Sequence, residues 1–382
     1  MPIDFQNSTP LYIQIIQDIK TKISEGELEV GEQLNSHKEL AEKYDVSLIT
    51  IKSALSTLID EGLLYSRVGK GTFVAKRFKN DNLTRHDAIG LVLQDLKNPF
   101  FSLIAHMVEE KAYSKGYNIL LSNSSSQVKK EEAQITHFKN LGVKGLIIAT
   151  LSKDPHAPKI IRDLNDEGFP YVMVSYVADK DIWYVGADHE NGAFMGTKHL
   201  IELGYEKIGY INSPENNSLG DIRFNGYKKA LIDSDISYDS NLILQLTQAE
   251  SSTGYQAGYE LGDTFHNMEN KPESFFVYND LAALGLIKRV QELGYKVPDD
   301  LAIVGFDDID QAKYAKVPLT TIHQPIEKIG TAAIDKLLHI IEGTKTEVRS
   351  ILQPHLIVRE SCGAKLKNSN SKKSTQLSTT AS

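Results

Sequence analysis

Residues Asn35 to Val74 read NSHKELAEKYDVSLITIKSALSTLIDEGLLYSRVGKGTFV, and their punctuation decides the first fold unit. Ser36 followed by Glu39 is a capping box, which predicts a helix from His37 with Leu40 and Ala41 on its buried side. Tyr44, Asp45 and Val46 break the pattern. Ser47 then caps a second helix, on which Ile51, Leu55, Leu58 and Ile59 keep helical spacing until Gly62 ends it. Two helices joined by so short a turn make a helix-turn-helix. Leu63 to Tyr65 and Thr72 to Val74 read as short strands around Arg67, Val68, Gly69, Lys70 and Gly71, a glycine-rich turn carrying two cations. Upstream, Leu11, Ile15, Ile19 and Ile23 lay an apolar stripe on a first helix able to cover the pair. The unit closes as a winged helix of about 75 residues, a size at which many domains fold alone.

The whole chain has 382 residues, 41% of them hydrophobic, so two or three domains with buried cores are expected. A formal net charge of −8 argues against nucleic acid until its distribution is read. Leu64 to Lys79 holds Arg67, Lys70, Lys76, Arg77 and Lys79 and no acid, which leaves a local positive surface beside the wing. With Cys362 as the only cysteine, neither an intramolecular disulfide nor a cysteine-rich zinc site is possible. The 11 histidines form no H-x-x-x-H or comparable cluster with acids, so no metal site or cofactor is expected. The start, MPIDFQNSTP, has no cationic segment leading into an apolar run, and no window of 18 apolar residues occurs. The expectation is a soluble cytoplasmic protein without a membrane partner.

The N-terminal residues resemble the GntR family of bacterial transcription regulators, whose pattern reads roughly PLYxQI, then LPSxxELAxxxxVSRxTVRxALxxLxxEGLL, then GxGTFV. Pro10-Leu11-Tyr12, Glu39-Leu40-Ala41, Val46-Ser47, Ala54-Leu55, Glu61-Gly62-Leu63-Leu64 and Gly69-Lys70-Gly71-Thr72-Phe73-Val74 match in register. The resemblance implies that double-stranded operator DNA meets Lys38, Ser47, Leu48, Thr50, Lys52, Arg67, Gly69 and Lys70. It also exposes departures. Asn35 replaces the usual Pro, Lys38 an Arg, Leu48 the Arg after the cap and Lys52 a second Arg, and only Arg gives a planar fork to guanine. The expected operator is therefore not of the commonest family type.

Residues Ala75 to Asp87 lack apolar periodicity and read as a linker, so the winged helix is assigned to 1–75 and the linker to 76–87. From Ala88 short apolar runs alternate with helical segments: Ile89 to Leu93, Asn118 to Leu121, Gly145 to Ala149, Tyr171 to Ser175 and Tyr184 to Gly186. A second series holds Ile208 to Ile211, Leu242 to Leu246, Phe275 to Tyr278 and Ala302 to Val304. Such strands, separated by helices, indicate α/β architecture with parallel sheets covered on both faces. The span is large for one sheet, so two doubly wound lobes are expected: about 88–189 with 325–344, and about 190–322 with 345–361. Ligands in open parallel sheets sit at the carboxyl ends of the strands. That rule selects Asp95, Asn98 to Phe101, Ser175-Tyr176, Asp188, Asn279-Asp280 and Phe306-Asp307-Asp308, with Arg223 near a helix start. Aromatic rings with Asn, Asp and Arg suit a sugar, whose CH face packs on rings while its hydroxyls donate and accept.

This second segment resembles the LacI-type sensor domain and the type I periplasmic sugar-binding proteins. The matches are Asn98-Pro99-Phe100-Phe101, Arg223 in Arg-Phe-Asn-Gly-Tyr, Asn279-Asp280 ahead of Ala283-Leu284-Gly285, Val304-Gly305-Phe306-Asp307, and Thr320-Thr321-Ile322-His323-Gln324-Pro325. In ribose-binding members the positions matching Asn98, Phe100, Phe101, Arg223, Asn279, Phe306, Asp307 and Gln324 line the sugar site. The chain departs at Ser175 and Tyr176, where those proteins have an Asp-Arg pair, and Ala249 stands where purine-binding relatives use an aromatic. The resemblance thus implies a monosaccharide effector and a ligand set of Asn98, Phe100, Phe101, Ser175, Tyr176, Asp188, Arg223, Asn279, Phe306, Asp307 and Gln324.

Each residue has a plainer use beside the functional one. Ser47, Thr50 and Lys52 serve equally as exposed helix residues, Gly69 and Gly71 as hairpin geometry, Phe100 and Phe101 as core. Asp307-Asp308 also serves as a helix cap or turn pair, and Trp183, beside Tyr184 at a strand start, is read as core or interface packing rather than as a platform for sugar. The tail from 362 to 382 is polar, without heptads, and expected to be disordered. A two-fold homodimer is the expected assembly, because winged-helix pairs read half-sites related by two-fold symmetry. Together these readings describe a sugar-responsive regulator, a repressor released by a monosaccharide, with a sugar-dependent activator or an uncoupled sugar-binding protein as alternatives. Catalysis would need a paired acid and base or an activated nucleophile; Asp280 and Asp307 are the one drawable pair, and Arg223 beside them suits binding.

Overall fold

A computed structural model describes residues 9–60, 62–67, 70–75, 88–149, 156–174, 176–215, 217–247 and 254–364. Gly69, Ser175, Ala249, the proposed linker and the chain beyond Ala364 lie outside the described residues. The chain divides into two compact units, Met1–Asn82 and Leu83–Ser382.

The first unit runs α1 (Leu11–Ser24), α2 (His37–Tyr44), α3 (Leu48–Asp60), β1 (Leu64–Arg67) and β2 (Gly71–Val74). The capping box at Ser36 is formed in both directions, Glu39 N–H donating to Ser36 Oγ and Ser36 N–H to the Glu39 carboxylate. Ile15 and Ile19 of α1 pack with Leu40, Ile51, Ala54, Leu55 and Leu58, so the apolar stripe covers the helix pair. Asp18 is buried in α1 and accepts from the Tyr44 hydroxyl at 2.7 Å, fastening α1 to the end of α2. Burial alone would raise the Asp18 pKa, but hydrogen bonds from Lys22 and Tyr44 outweigh it and hold the carboxyl down at about 2. β1 and β2 pair antiparallel from Leu64 against Val74 to Arg67 against Gly71; relative to the sequence reading, β1 starts one residue later and ends two later, and β2 starts one residue earlier. The segment before α2 adds to this hairpin, Leu34 N–H donating to Thr72 O and Val74 N–H to Glu32 O.

The second unit holds two six-stranded sheets. One takes β3 (Ala88–Leu93), β4 (Asn118–Asn123), β5 (Gly145–Ile148), β6 (Tyr171–Met173), β7 (Tyr184–Ala187) and a late strand, in the order β13-β7-β6-β5-β3-β4. Its helices are α4 (Pro99–Ser114), α5 (Val128–Asn140) and α6 (Lys159–Asp166). The other sheet takes β8 (Ile208–Asn212), β9 (Ile243–Gln245), β10 (Ser274–Val277), β11 (Ala302–Asp307) and β12 (Thr320–His323), in the order β14-β12-β11-β10-β8-β9. With it go α7 (His189–Glu202), α8 (Ser218–Ile232), α9 (Gly254–Asn267), α10 (Asp280–Glu292) and α11 (Asp310–Tyr314). The chain then forms α12 (Ile326–Ile341), β13 (Arg349–Leu352) and β14 (His355–Ile357). Ladders are parallel except β12 with β14; central strands such as AIGLVL in β3 and AIVGFD in β11 are fully buried, while the outer strands β4, β9, β13 and β14 are partly exposed.

Two boundaries differ from the sequence reading: the tail expected to be disordered from 362 does not begin there, because Cys362 and Ala364 are buried in the second-lobe core, and 345–361 was given wholly to the second lobe. β13 pairs in parallel with β7, Arg349 against Tyr184 through Leu352 against Ala187, so it completes the first sheet. Only β14 belongs to the second. A four-residue strand at an edge buries too little to announce its partner by hydrophobicity. The chain therefore crosses between the lobes three times: between β7 and α7, between β12 and α12, and between β13 and β14. These crossings touch, Asp188 N–H donating to Leu352 O at 3.0 Å and Asn191 Nδ2 to Gln353 Oε1 at 3.1 Å.

Candidate functional site

In the winged helix the candidate surface is one face of α3 with the hairpin. Helical period places Leu48, Ile49, Lys52, Ser53 and Ser56 together and turns Ile51, Ala54, Leu55 and Leu58 inward. Ser47 caps the helix, its Oγ accepting from Thr50 N–H at 3.2 Å and pairing with the Thr50 hydroxyl at 2.8 Å. Lys38, Ser47, Leu48, Lys52, Arg67 and Lys70 are exposed, and Thr50 is half-buried. Arg67 lies over the stacked rings of Tyr65 and Phe73, 5.4 and 5.9 Å from their centres, which holds its charge at the hairpin. Lys70 stands at the turn, where its carbonyl accepts from Gln33 Nε2 at 2.7 Å.

In the second unit each sheet has a switch point, between β3 and β5 and between β8 and β10, where successive connections leave in opposite directions. The candidate residues lie at the carboxyl ends of these and the neighbouring strands. Asn98 follows β3 and caps α4, accepting from Phe100 N–H at 3.0 Å. Phe100 and Phe101 meet edge to face and are half-buried against the first-lobe core. Asp188 follows β7 and caps α7, accepting from Asn191 N–H. Tyr176 is half-buried, and burial raises its hydroxyl pKa.

On the second lobe the chain brings four expected residues together. Arg223, on α8, is 2% exposed, with its guanidinium carbon 3.7 Å from the Phe306 ring centre and 4.8 Å from that of Tyr278. Its Nη1 donates to Tyr278 O at 2.5 Å and its Nη2 reaches Asp307 Oδ1 at 3.4 Å. Gln324 Nε2 donates to the same Asp307 oxygen at 2.7 Å. Two buried atoms of this cluster, Arg223 Nε and Gln324 Oε1, have no hydrogen-bond partner among the described residues. An unmet buried donor and acceptor each cost about 1–3 kcal/mol, so a hydroxylated ligand that supplies both is favoured there. Asn279 Oδ1 accepts from Ala282 N–H at 2.9 Å as the cap of α10.

The backbone at this point is strained. Asp307 has φ 121° and Asp308 φ 61°, conformations that a side chain opposes and that cluster at functional sites. Side-chain bonds hold them, Gln324 and Arg223 on Asp307, His323 and Arg359 on Asp308. Two glycines let the elements close up. A Cβ at Gly226 would lie 2.2 Å from Glu190 O, so α8 reaches α7 only without one, and a Cβ at Gly305 would lie 2.2 Å from Asp280 Oδ1.

Asp280, fully buried beneath Asp307, accepts from Thr321 Oγ1 at 2.5 Å and Ile309 N–H at 3.0 Å. Burial first, and then the neighbouring Asp307 charge, raises its pKa well above the carboxylate range. Burial raises Asp307 as well, against the opposing pull of Arg223 and Gln324. Sequence reasoning missed two members. His189, buried beside Asp188, has Nδ1 3.5 Å from Arg223 Nη2 and its ring 5.9 Å from Phe306. Burial and then Arg223 push its pKa down, so it is neutral and accepts from the guanidinium. Tyr278, read as a strand residue, lies just past β10, and the carboxyl-end rule was the signal that could have found it.

A model of bacterial regulatory proteins of the gntR family matches residues 11–74, and a periplasmic binding protein-like domain model matches 197–362. The arabinose metabolism transcriptional repressor of Geobacillus stearothermophilus is 30% identical over 364 residues, 93% of this chain and 98% of that one. Among solved structures, the transcriptional regulator CelR in complex with cellobiose superposes with a TM-score of 0.63 at 27% identity, covering 83% of this chain and 91% of that one. A LacI family transcriptional regulator from Enterococcus faecium with bound ribose gives 0.62 at 27% identity, covering 72% and 98%.

Proposed function

The chain belongs to the GntR family of bacterial transcription regulators, in the branch that joins a winged helix to a periplasmic binding protein-like sensor, and from that premise we propose how it works. It is a sugar-responsive DNA-binding regulator of the sugar-metabolism repressor type. A monosaccharide enters between the lobes, stacking on Phe100 or Phe101 and bonding with Arg223, Asp307, Gln324, Asn279 and Asp188. The observation that carries the sugar reading is that Arg223 Nε and Gln324 Oε1, both buried, have no partner among the described residues: one donor and one acceptor within a cluster that also stacks on rings.

Gln324 and Asp188 stand directly on two of the three crossings, so an occupant that bonds there also sets the angle between the lobes. In a two-fold dimer that angle changes the spacing of two winged helices, each on its own half-site. Coupling of about 1–3 kcal/mol alters DNA affinity by roughly 5–150-fold, enough to release a repressor. We read the role as binding rather than catalysis: Asp280 is held by Thr321 and Ile309, and Asp307 Oδ1 by Arg223 and Gln324, an arrangement that suits recognition. We place the protein in the cytoplasm, where its operator is.

Calorimetric titration of the full chain with pentoses, hexoses, their phosphates and purine bases, followed by operator binding with and without each hit, tests this. A sugar that binds and shifts DNA affinity is the expected result. Failure of every sugar and sugar phosphate removes the sensing claim.

A further inference from the structure

The exposed face of α3 is short of the side chains that read bases by paired hydrogen bonds. Between Leu48 and Ile59 it contains no Arg, Asn or Gln, and Lys52 is its one cation. Instead its first turn presents two aliphatic residues to solvent, Leu48 at 48% and Ile49 at 77% exposure. Neither belongs to the apolar cluster of Ile51, Ala54, Leu55 and Leu58 that holds the helix in place. Ile49 lies near the middle of the face that carries Lys52, Ser53 and Ser56, with Arg67 and Lys70 on the neighbouring hairpin. Cations around an aliphatic centre complement a major groove, which offers phosphates at its rims and, on its floor, one apolar group: the thymine 5-methyl.

We propose that Ile49, with Leu48 beside it, reads thymine methyl groups in each operator half-site, so that specificity rests on apolar contact where guanidinium forks are lacking. This rests on the DNA-binding reading above and adds the base class that the helix selects. Lys52, Arg67 and Lys70 supply affinity through phosphates, and the two aliphatic residues supply the choice of base.

The test begins with duplexes selected from a randomised pool by the full-length chain without sugar. Affinity is then compared between each selected duplex and the same duplex carrying deoxyuridine in place of one half-site thymine at a time, which removes only the methyl. The wild-type chain is expected to bind about three- to fivefold more weakly when a contacted methyl is lost. Ile49→Ala should bind the thymine and uracil forms alike, with an unchanged salt dependence. Equal wild-type affinity for both forms at every position overturns the proposal, as does a full thymine preference retained by both Ile49→Ala and Leu48→Ala. A pool that yields no enriched duplex overturns the DNA-binding reading beneath it, a result distinct from enrichment without methyl dependence.

Discussion

The Arg223 guanidinium carbon stands 3.7 Å from the centre of the Phe306 ring and is closed from another side by Tyr278, whose carbonyl takes Nη1. A cation so enclosed faces aromatic rings and the Asp307 carboxyl in place of water. It cannot swing away to satisfy Nε by itself. The pose is held ready for a ligand instead of being assembled by one, which lowers the ordering cost of binding.

Arg223→Lys therefore serves as a sharper probe than removal of the charge. Lysine retains the positive charge but loses both the planar stack on Phe306 and the fork between Tyr278 O and Asp307. Sugar affinity should fall by about 2–3 kcal/mol, roughly 30- to 150-fold, while operator affinity without sugar stays within twofold. Calorimetry and operator titration on the same preparation check both halves. Loss of operator binding too would mean that the lobe has misfolded.

Asp280 gives a pH prediction with a fixed sign. Its folded pKa is raised, so the folded chain keeps a proton that the unfolded chain has already released. Its contribution to stability is complete below about pH 4, the unfolded value, and is lost as pH rises through the neutral range, by at most about 1.4 kcal/mol per pH unit. Asp280→Asn keeps an acceptor for Ile309 N–H and a partner for Thr321 without the titration. Urea midpoints of the sensor transition between pH 5 and pH 8 should fall for wild type and fall less for the variant. Parallel profiles would mean that Asp280 does not titrate in that window.

What could be read in advance followed from the period of the chemistry. The capping box at Ser36, the inward positions Ile51, Leu55 and Leu58, and apolar runs such as Ala302 to Val304 are local patterns, and each formed its element. Arg223, Phe306, Asp307 and Gln324 were legible through resemblance, and they do meet. His189 and β13 were not. A single histidine after an aspartate carries no periodic signal, and its role comes from α8 being brought close by Gly226, across 30 or more residues. β13 is a four-residue edge strand whose partner is set by the third crossing. Asn279 illustrates the reverse case: its residue type suggested sugar contact, while its Oδ1 also closes the start of α10.

Gly226 positions Arg223 from one turn away. Adding a methyl would drive Cβ into Glu190 O, a backbone atom that cannot rotate aside, so Gly226→Ala must push α8 from α7. We expect the sensor to lose about 1–3 kcal/mol of stability and, at temperatures where it remains folded, to bind sugar more weakly because Arg223 leaves its ring contact. Chemical denaturation and calorimetry report the two effects. An unchanged midpoint would show that the helices part without cost.

Salt dependence separates phosphate contacts from base contacts on the winged helix. Each lysine that neutralises a phosphate releases a counterion, and the slope of log affinity against log salt becomes steeper by about 0.9. Lys52 and Lys70, exposed on α3 and at the hairpin turn, stand where a duplex backbone would pass on either side of an inserted helix. Lys52→Ala and Lys70→Ala should each flatten the slope by about one unit and weaken binding to all sequences alike, and the double variant by about two. Lys139, far along the chain on α5, is the control and should leave the slope where it was. A slope unmoved by either wing or helix variant would mean that these cations do not reach the backbone. A loss confined to selected sequences would instead assign Lys52 to base reading, alongside Leu48 and Ile49.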